Sequence, residues 1–165
     1  MIRFLIILLL LIPVSAFPFQ NEPTGFKNIS WDSTIGSSAG LRPVGQSEGT
    51  VQRFMKMDEI FSFEGLTLSD IRYVTDQGKF VRAEITYDCA QQGTMAKVLK
   101  NKYGAATSEK GAAMTWHGKV TTITLGPPVA AKSITPAPNA EPTLCSLTYS
   151  STAYHLKSVP QQQGR

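Results

Sequence analysis

Histidine and cysteine are scarce in this chain, with two of each among 165 residues. Neither His117 nor His155 has a carboxylate or a cysteine at metal-ligand spacing, so the sequence assigns no metal; a site made from both would have to be assembled by the fold. No Cys-x-x-Cys motif occurs, which excludes redox chemistry that relies on a thiolate activated by a nearby cysteine. Charge is thin as well. Sixteen Lys and Arg against twelve Asp and Glu give a net charge of +4. The basic residues are scattered rather than run together, which excludes the electrostatic footprint of a nucleic-acid binder. Paired carboxylates are missing too: Asp58 and Glu59 are adjacent and diverge in a strand, while Glu64, Asp70, Glu84 and Glu109 share no pattern. No general acid and base can be named, and no cofactor is implied.

Long apolar runs are limited to one, from Phe4 to Leu11 behind the basic Arg3. It is shorter than the roughly 20 residues a membrane-spanning helix needs. With Ser15 and Ala16 supplying small residues before a cut, residues 1–16 read as a signal peptide and Phe17 as the mature start. No integral membrane span is expected after cleavage, and no cysteine follows the cut to carry a lipid. The remaining length suits one domain, placed at 17–156, with a polar tail at 157–165. In an exported chain two cysteines suggest a disulfide, because the compartment is oxidising.

What is present is alternation. In Val81-Arg82-Ala83-Glu84-Ile85-Thr86-Tyr87 the apolar residues fall on odd positions, the mark of a strand with one dry face, and the parity carries Cys89 to that face. Cys145, Leu147 and Tyr149 alternate in the same way, so both sulfurs point into one core and a structural Cys89–Cys145 bond is expected. Ile71 to Val74 joins the first strand through Asp76-Gln77-Gly78-Lys79, a hairpin turn. Met95, Val98, Leu99 and Tyr103 recur at helical spacing before Gly104, with either Asp88 or Thr94 as the N-cap. Gly25 to Asp32, Val51 to Met57 and Ile60 to Phe63 read as further strands, and the Ser- and Gly-rich segment Ser33 to Gly49 as loop. Met114 and Trp116 lead through His117-Gly118-Lys119 into Val120 to Leu125, a second hairpin, whereas Ala106 to Gly111 reads as a polar connection. Residues 126–143 hold five of the ten prolines and form a Pro-rich loop. The fold class is therefore α+β: an antiparallel sheet of about five to seven strands with one main helix on the face of Val81, Ala83, Ile85, Tyr87, Cys145, Leu147 and Tyr149. The opposite face, with Arg82, Glu84 and Thr86, should be wet.

One formal motif is present in Gly36-Ser37-Ser38-Ala39-Gly40, which fits the G-x-S-x-G nucleophile elbow. Its context lacks the preceding buried strand and the following helix, so it reads as loop. The aromatics recur once or twice in nearly every element, as a sheet packed on a helix requires; Trp116, beside a turn, is the one placed to join a binding surface. The order Phe26-x-x-Ile29-x-Trp31, a hairpin around Gly78 and Phe80, Leu99-x-x-x-Tyr103-Gly104, then Trp116 before an alternating strand resembles a loose class of small exported bacterial domains of uncharacterised function. Asp32 stands where that class favours glycine and Ala106 where it favours proline. The resemblance implies an exported α+β domain and carries over no catalytic residues. A more distant likeness is to small outer-membrane assembly proteins, which also pair a helix with an antiparallel sheet.

These observations point to an exported, non-catalytic binding or assembly module of the bacterial cell envelope, periplasmic or secreted. Its partner is expected to be another envelope or secreted protein, met through Trp116, His117 and the Pro-rich loop. The alternatives are a small secreted hydrolase using His117 or His155, or an inhibitor of a secreted enzyme.

Overall fold

Alternation of apolar and polar side chains builds strands along most of this chain. The computed structural model describes residues 19–35, 40–128 and 143–158. The expected signal segment, four of the five residues of the Gly36 to Gly40 motif, most of the Pro-rich stretch and the end of the tail lie outside the described residues. Within the described residues the strands are β1 Gly25–Phe26, β2 Ile29–Ser30, β3 Leu41–Glu48, β4 Val51–Lys56, β5 Ser62–Phe63 and β6 Leu66–Thr67. They continue as β7 Asp70–Asp76, β8 Lys79–Asp88, β9 Ser108–Lys110, β10 Ala113–His117, β11 Thr121–Pro128 and β12 Leu144–Ser151. The helices are α1 Gln92–Tyr103, entered through a 3-10 turn at Cys89–Gln91, and α2 Thr152–Ser158.

The fold is α+β. Eight strands form one antiparallel sheet in the order β3-β4-β7-β8-β12-β11-β10-β9, while β1 with β2 and β5 with β6 form two small hairpins. The sheet consists of two four-stranded meanders that meet at β8 and β12, where Ile85 pairs with Leu147 and Tyr87 with Cys145. The expected disulfide is there: Cys89 and Cys145 are bonded, with Cα atoms 4.9 Å apart, and so link the end of one meander to the start of β12 in the other. Turn chemistry agrees with the sequence at Gln77 and Gly78, both at positive φ between β7 and β8.

One face of the sheet is dry. Ala83, Ile85 and Tyr87 of β8 and Cys145, Leu147 and Tyr149 of β12 are buried, and α1 lays Met95, Leu99 and Tyr103 into the same core. Asp88 caps the 3-10 turn by accepting from the Ala90 N–H at 2.8 Å, so Asp88 rather than Thr94 starts the helical segment. Gln92, in the first turn of α1, accepts from the Tyr87 hydroxyl and donates to the carbonyls of Ala112 at 3.1 Å and Gly126 at 3.2 Å. The rest of this face is covered by the chain's beginning: Phe26 packs on Tyr149 at 5.2 Å between ring centroids, and Trp31 stacks on Phe80 at 4.9 Å.

Five expectations need correction. Val74 pairs with Arg82 but Thr75 with Phe80, so Val81 is the extra residue of a bulge. Phe80 therefore takes the core position, and Val81 is buried outside that core, in a cleft that Ala153 and Tyr154 also line. The segment Ser33 to Gly49, expected as loop, contains β3, an edge strand most of whose side chains are exposed. Its partner strand supplies the order that its own Ser- and Gly-rich sequence does not signal. Similarly β9 extends the sheet where a connection was expected. Gly25 to Asp32 is not one strand but the tight hairpin β1–β2, with Lys27 and Asn28 at positive φ. Finally, Arg82 and Glu84 are half-buried rather than wet, because α2 folds back over that face.

Candidate functional site

The two residues proposed from sequence as a binding pair part company. Strand parity in β10 sends Trp116 to the α1 side, where it pairs with Ile123, is fully buried and donates its indole N–H to the Gly104 carbonyl at 2.9 Å. Proximity to a turn suggested exposure, but the ring lies in the core and has no exposed surface in this fold. His117, one position on, faces the other side and is exposed. Cys89 and Cys145 have no thiol, being joined to each other.

On the face away from α1, sheet register lines up His117, Thr122, Ser150 and Arg82 across four neighbouring strands. Over this row lies α2, which starts one residue after β12 and is tied down by the Thr152 N–H to the Val120 carbonyl at 2.8 Å. Thr122 and Ser150 are consequently buried. The contact brings the chain's two histidines together: their ring centroids are 6.4 Å apart with 53° between the planes. His117 Nδ1 lies 3.0 Å from Thr122 Oγ1, which lies 3.1 Å from Thr152 Oγ1, whose hydroxyl reaches the Gly118 carbonyl at 3.1 Å. Burial, then the neighbouring His117 and Arg82, hold His155 below its ordinary pKa. Arg82 stacks over Tyr154 at 5.5 Å and pairs with Glu84 at 2.6 Å, and Glu84 in turn meets Arg53 at 3.2 Å. A pocket of about 450 Å³ opens beside His117, lined also by Phe19, Glu22, Gly118 and Lys119. Glu22 Oε1 accepts the N–H groups of Val120 at 2.6 Å and Thr121 at 2.8 Å, strapping the chain's beginning across the turn.

A second feature lies between β4 and β5. Three large apolar side chains of one five-residue loop face solvent: Met57, Ile60 at 73% exposure, and Phe61. Between them Glu59 turns inward, its side chain only 5% exposed. It receives Lys27 Nζ at 2.6 Å and the Tyr73 hydroxyl, and Lys27 also donates to the Ile60 carbonyl at 2.7 Å. Burial first, then hydrogen bonding to Glu59, drives the Tyr73 hydroxyl far above its ordinary pKa, so it stays protonated and donates. The main chain is held at both flanks, with the Met57 N–H on Gly40 and the Leu68 N–H on Phe61. An apolar loop is thus pinned in an exposed position by an ion pair whose carboxylate is buried.

Sequence reasoning missed both groupings. Nothing in a linear pattern joins His117 to His155 or Lys27 to Glu59; the available signal is the unusual run Met57-Asp-Glu-Ile-Phe61, apolar at its ends and acidic inside, whose flanks continue into segments that alternate like strands. Among the described residues no group of three or more His, Cys, Asp or Glu side chains converges as a metal site, and no helix is long and apolar enough to cross a membrane. No family model matches the chain, and neither the curated proteins nor the solved structures contain a match to it.

Proposed function

We propose that this protein is an exported, non-catalytic binding or assembly module of the bacterial cell envelope, and that it docks another envelope or secreted protein through the Met57 to Phe61 loop. The observation that supports this reading is the pinning of that loop. Exposed Met57, Ile60 and Phe61 forfeit hydrophobic burial, and a buried carboxylate is committed to holding them there. Apolar anchors surrounded by polar groups are what a protein interface centres on. The same arrangement suits an inhibitor of a secreted enzyme, which differs only in its partner.

The hydrolase reading is weaker. His117 does meet a hydroxyl, that of Thr122, but Thr122 is fully buried and out of reach of a substrate. The proposal is tested by placing a photo-crosslinking residue at position 60 in cells and comparing capture with Ile60→Asp and Phe61→Asp. Capture of one envelope or secreted protein, lost in both variants while thermal stability holds, is expected. Crosslinks to lipid alone would transfer the loop to a membrane role, and unchanged capture in both variants would remove it as the docking surface.

A further inference from the structure

We propose that His117 and His155 form a two-imidazole site for a borderline divalent transition-metal ion of the Zn²⁺, Ni²⁺ and Cu²⁺ class, independent of the apolar loop. The chain holds only two histidines, and the fold carries them from β10 and α2 to face each other at 6.4 Å. The hydrogen-bond chain beneath them decides which nitrogen of His117 is free. Thr152 has a single hydroxyl hydrogen and gives it to the Gly118 carbonyl, which has none to offer in return. Thr122 must then donate its own hydrogen to Thr152, which leaves Thr122 Oγ1 only an acceptor toward His117. His117 is therefore protonated on Nδ1 and keeps its lone pair on Nε2. That is the tautomer a metal ion requires, held by a hydrogen bond of the kind that orients ligating histidines.

Distance is compatible with shared coordination. With metal–nitrogen bonds of about 2.0–2.1 Å, two imidazoles on one ion have centroids roughly 5 Å apart at a tetrahedral angle and about 6.5 Å apart when opposite each other. The observed separation falls in this range at its wide end, so tetrahedral binding would draw the α2 ring inward by about 1 Å. Arg82, whose charge bears on His155, already shares that charge with Glu84 at 2.6 Å. Two imidazoles leave the remaining coordination positions to water, and imidazole suits this group of metals better than Mg²⁺ or Ca²⁺.

The test uses the secreted chain without a histidine tag, stripped of metal and titrated separately with Zn²⁺, Ni²⁺ and Cu²⁺ by calorimetry near neutral pH. At least one of the three is expected to bind at one ion per chain. His117→Ala and His155→Ala should each weaken binding at least tenfold, with circular dichroism unchanged. Thr122→Val, which frees the His117 tautomer, should weaken it by about tenfold. Imidazole nitrogen resonances of the metal-free protein should show the Nδ1–H form at His117. Failure of all three ions to bind, binding unchanged in both histidine variants, or an Nε2–H form at His117 would each overturn the site.

Discussion

Glu59 is a carboxylate cut off from water, and its worth depends on Lys27 and Tyr73. Truncating it leaves an ammonium and a buried hydroxyl without a partner, which costs more than the lost pair itself is worth. Glu59→Ala should therefore destabilise the protein by about 2–4 kcal/mol in urea titrations. A loss well under 1 kcal/mol would show that the loop is not pinned in this way. His155 makes a different kind of prediction. Its folded pKa lies below its ordinary value of about 6.5, so the unfolded chain takes up the proton more readily. The stability it contributes is whole above that ordinary value and is lost as pH falls through the window between it and the lowered folded pKa. In metal-free buffer, melting temperature should drop on acidification from about pH 7 to pH 5, and drop less in His155→Asn. Identical pH profiles for the two proteins would refute the assignment.

At the scale of elements, the turn between β10 and β11 shows how a glycine can be demanded by a neighbour rather than by its own backbone. A Cβ on Gly118 would overlap Glu22 Oε1 and crowd the Phe19 ring. Gly118→Ala should cost about 1–3 kcal/mol, by displacing the strap that Glu22 forms with the Val120 and Thr121 N–H groups. In a Glu22→Ala background the same change should cost less, because most of the overlap is gone; additive losses would place the strain elsewhere. Legibility at this scale follows burial. The strands and helix that face the core, β7, β8, β10, β11, β12 and α1, carry an alternating or helical pattern because one side of each excludes water. The ribbon strand β3 is exposed on nearly all sides, so no pattern was imposed on it and none could be read. The bulge at Val81 escaped for another reason: it shifts parity by one residue, and both Phe80 and Val81 are apolar.

For the whole molecule, the disulfide closes a span of 56 residues that includes α1 and the β10–β11 hairpin. In the chain-entropy model such a loop contributes about 4 kcal/mol, a large part of a net stability of about 5–15 kcal/mol. Cys89→Ser with Cys145→Ser should lose about that much in denaturant titrations under non-reducing conditions; a loss below 1 kcal/mol would mean the two meanders hold together without the bond. Trp116→Ala separates core from surface. It should destabilise by about 3–5 kcal/mol, yet under conditions where the variant stays folded it should leave capture at position 60 intact.

Alternation by itself determined that Ala83, Ile85 and Tyr87 of β8 share a dry face with Cys145, Leu147 and Tyr149 of β12, and the glycine at 104 marked where the helix ends. These properties are local: side chains alternate or recur with the backbone's own period, and burial filters them by polarity. What the tertiary structure decided was everything that depends on elements remote in the chain. It put Trp116 inside and His117 outside, and it spread the sheet to eight strands by recruiting edges with no pattern of their own. It also brought His117 to His155 and Lys27 to Glu59. The physical reason is that such contacts are set by which strands pair and where α2 folds back, and neither choice leaves a period in the sequence.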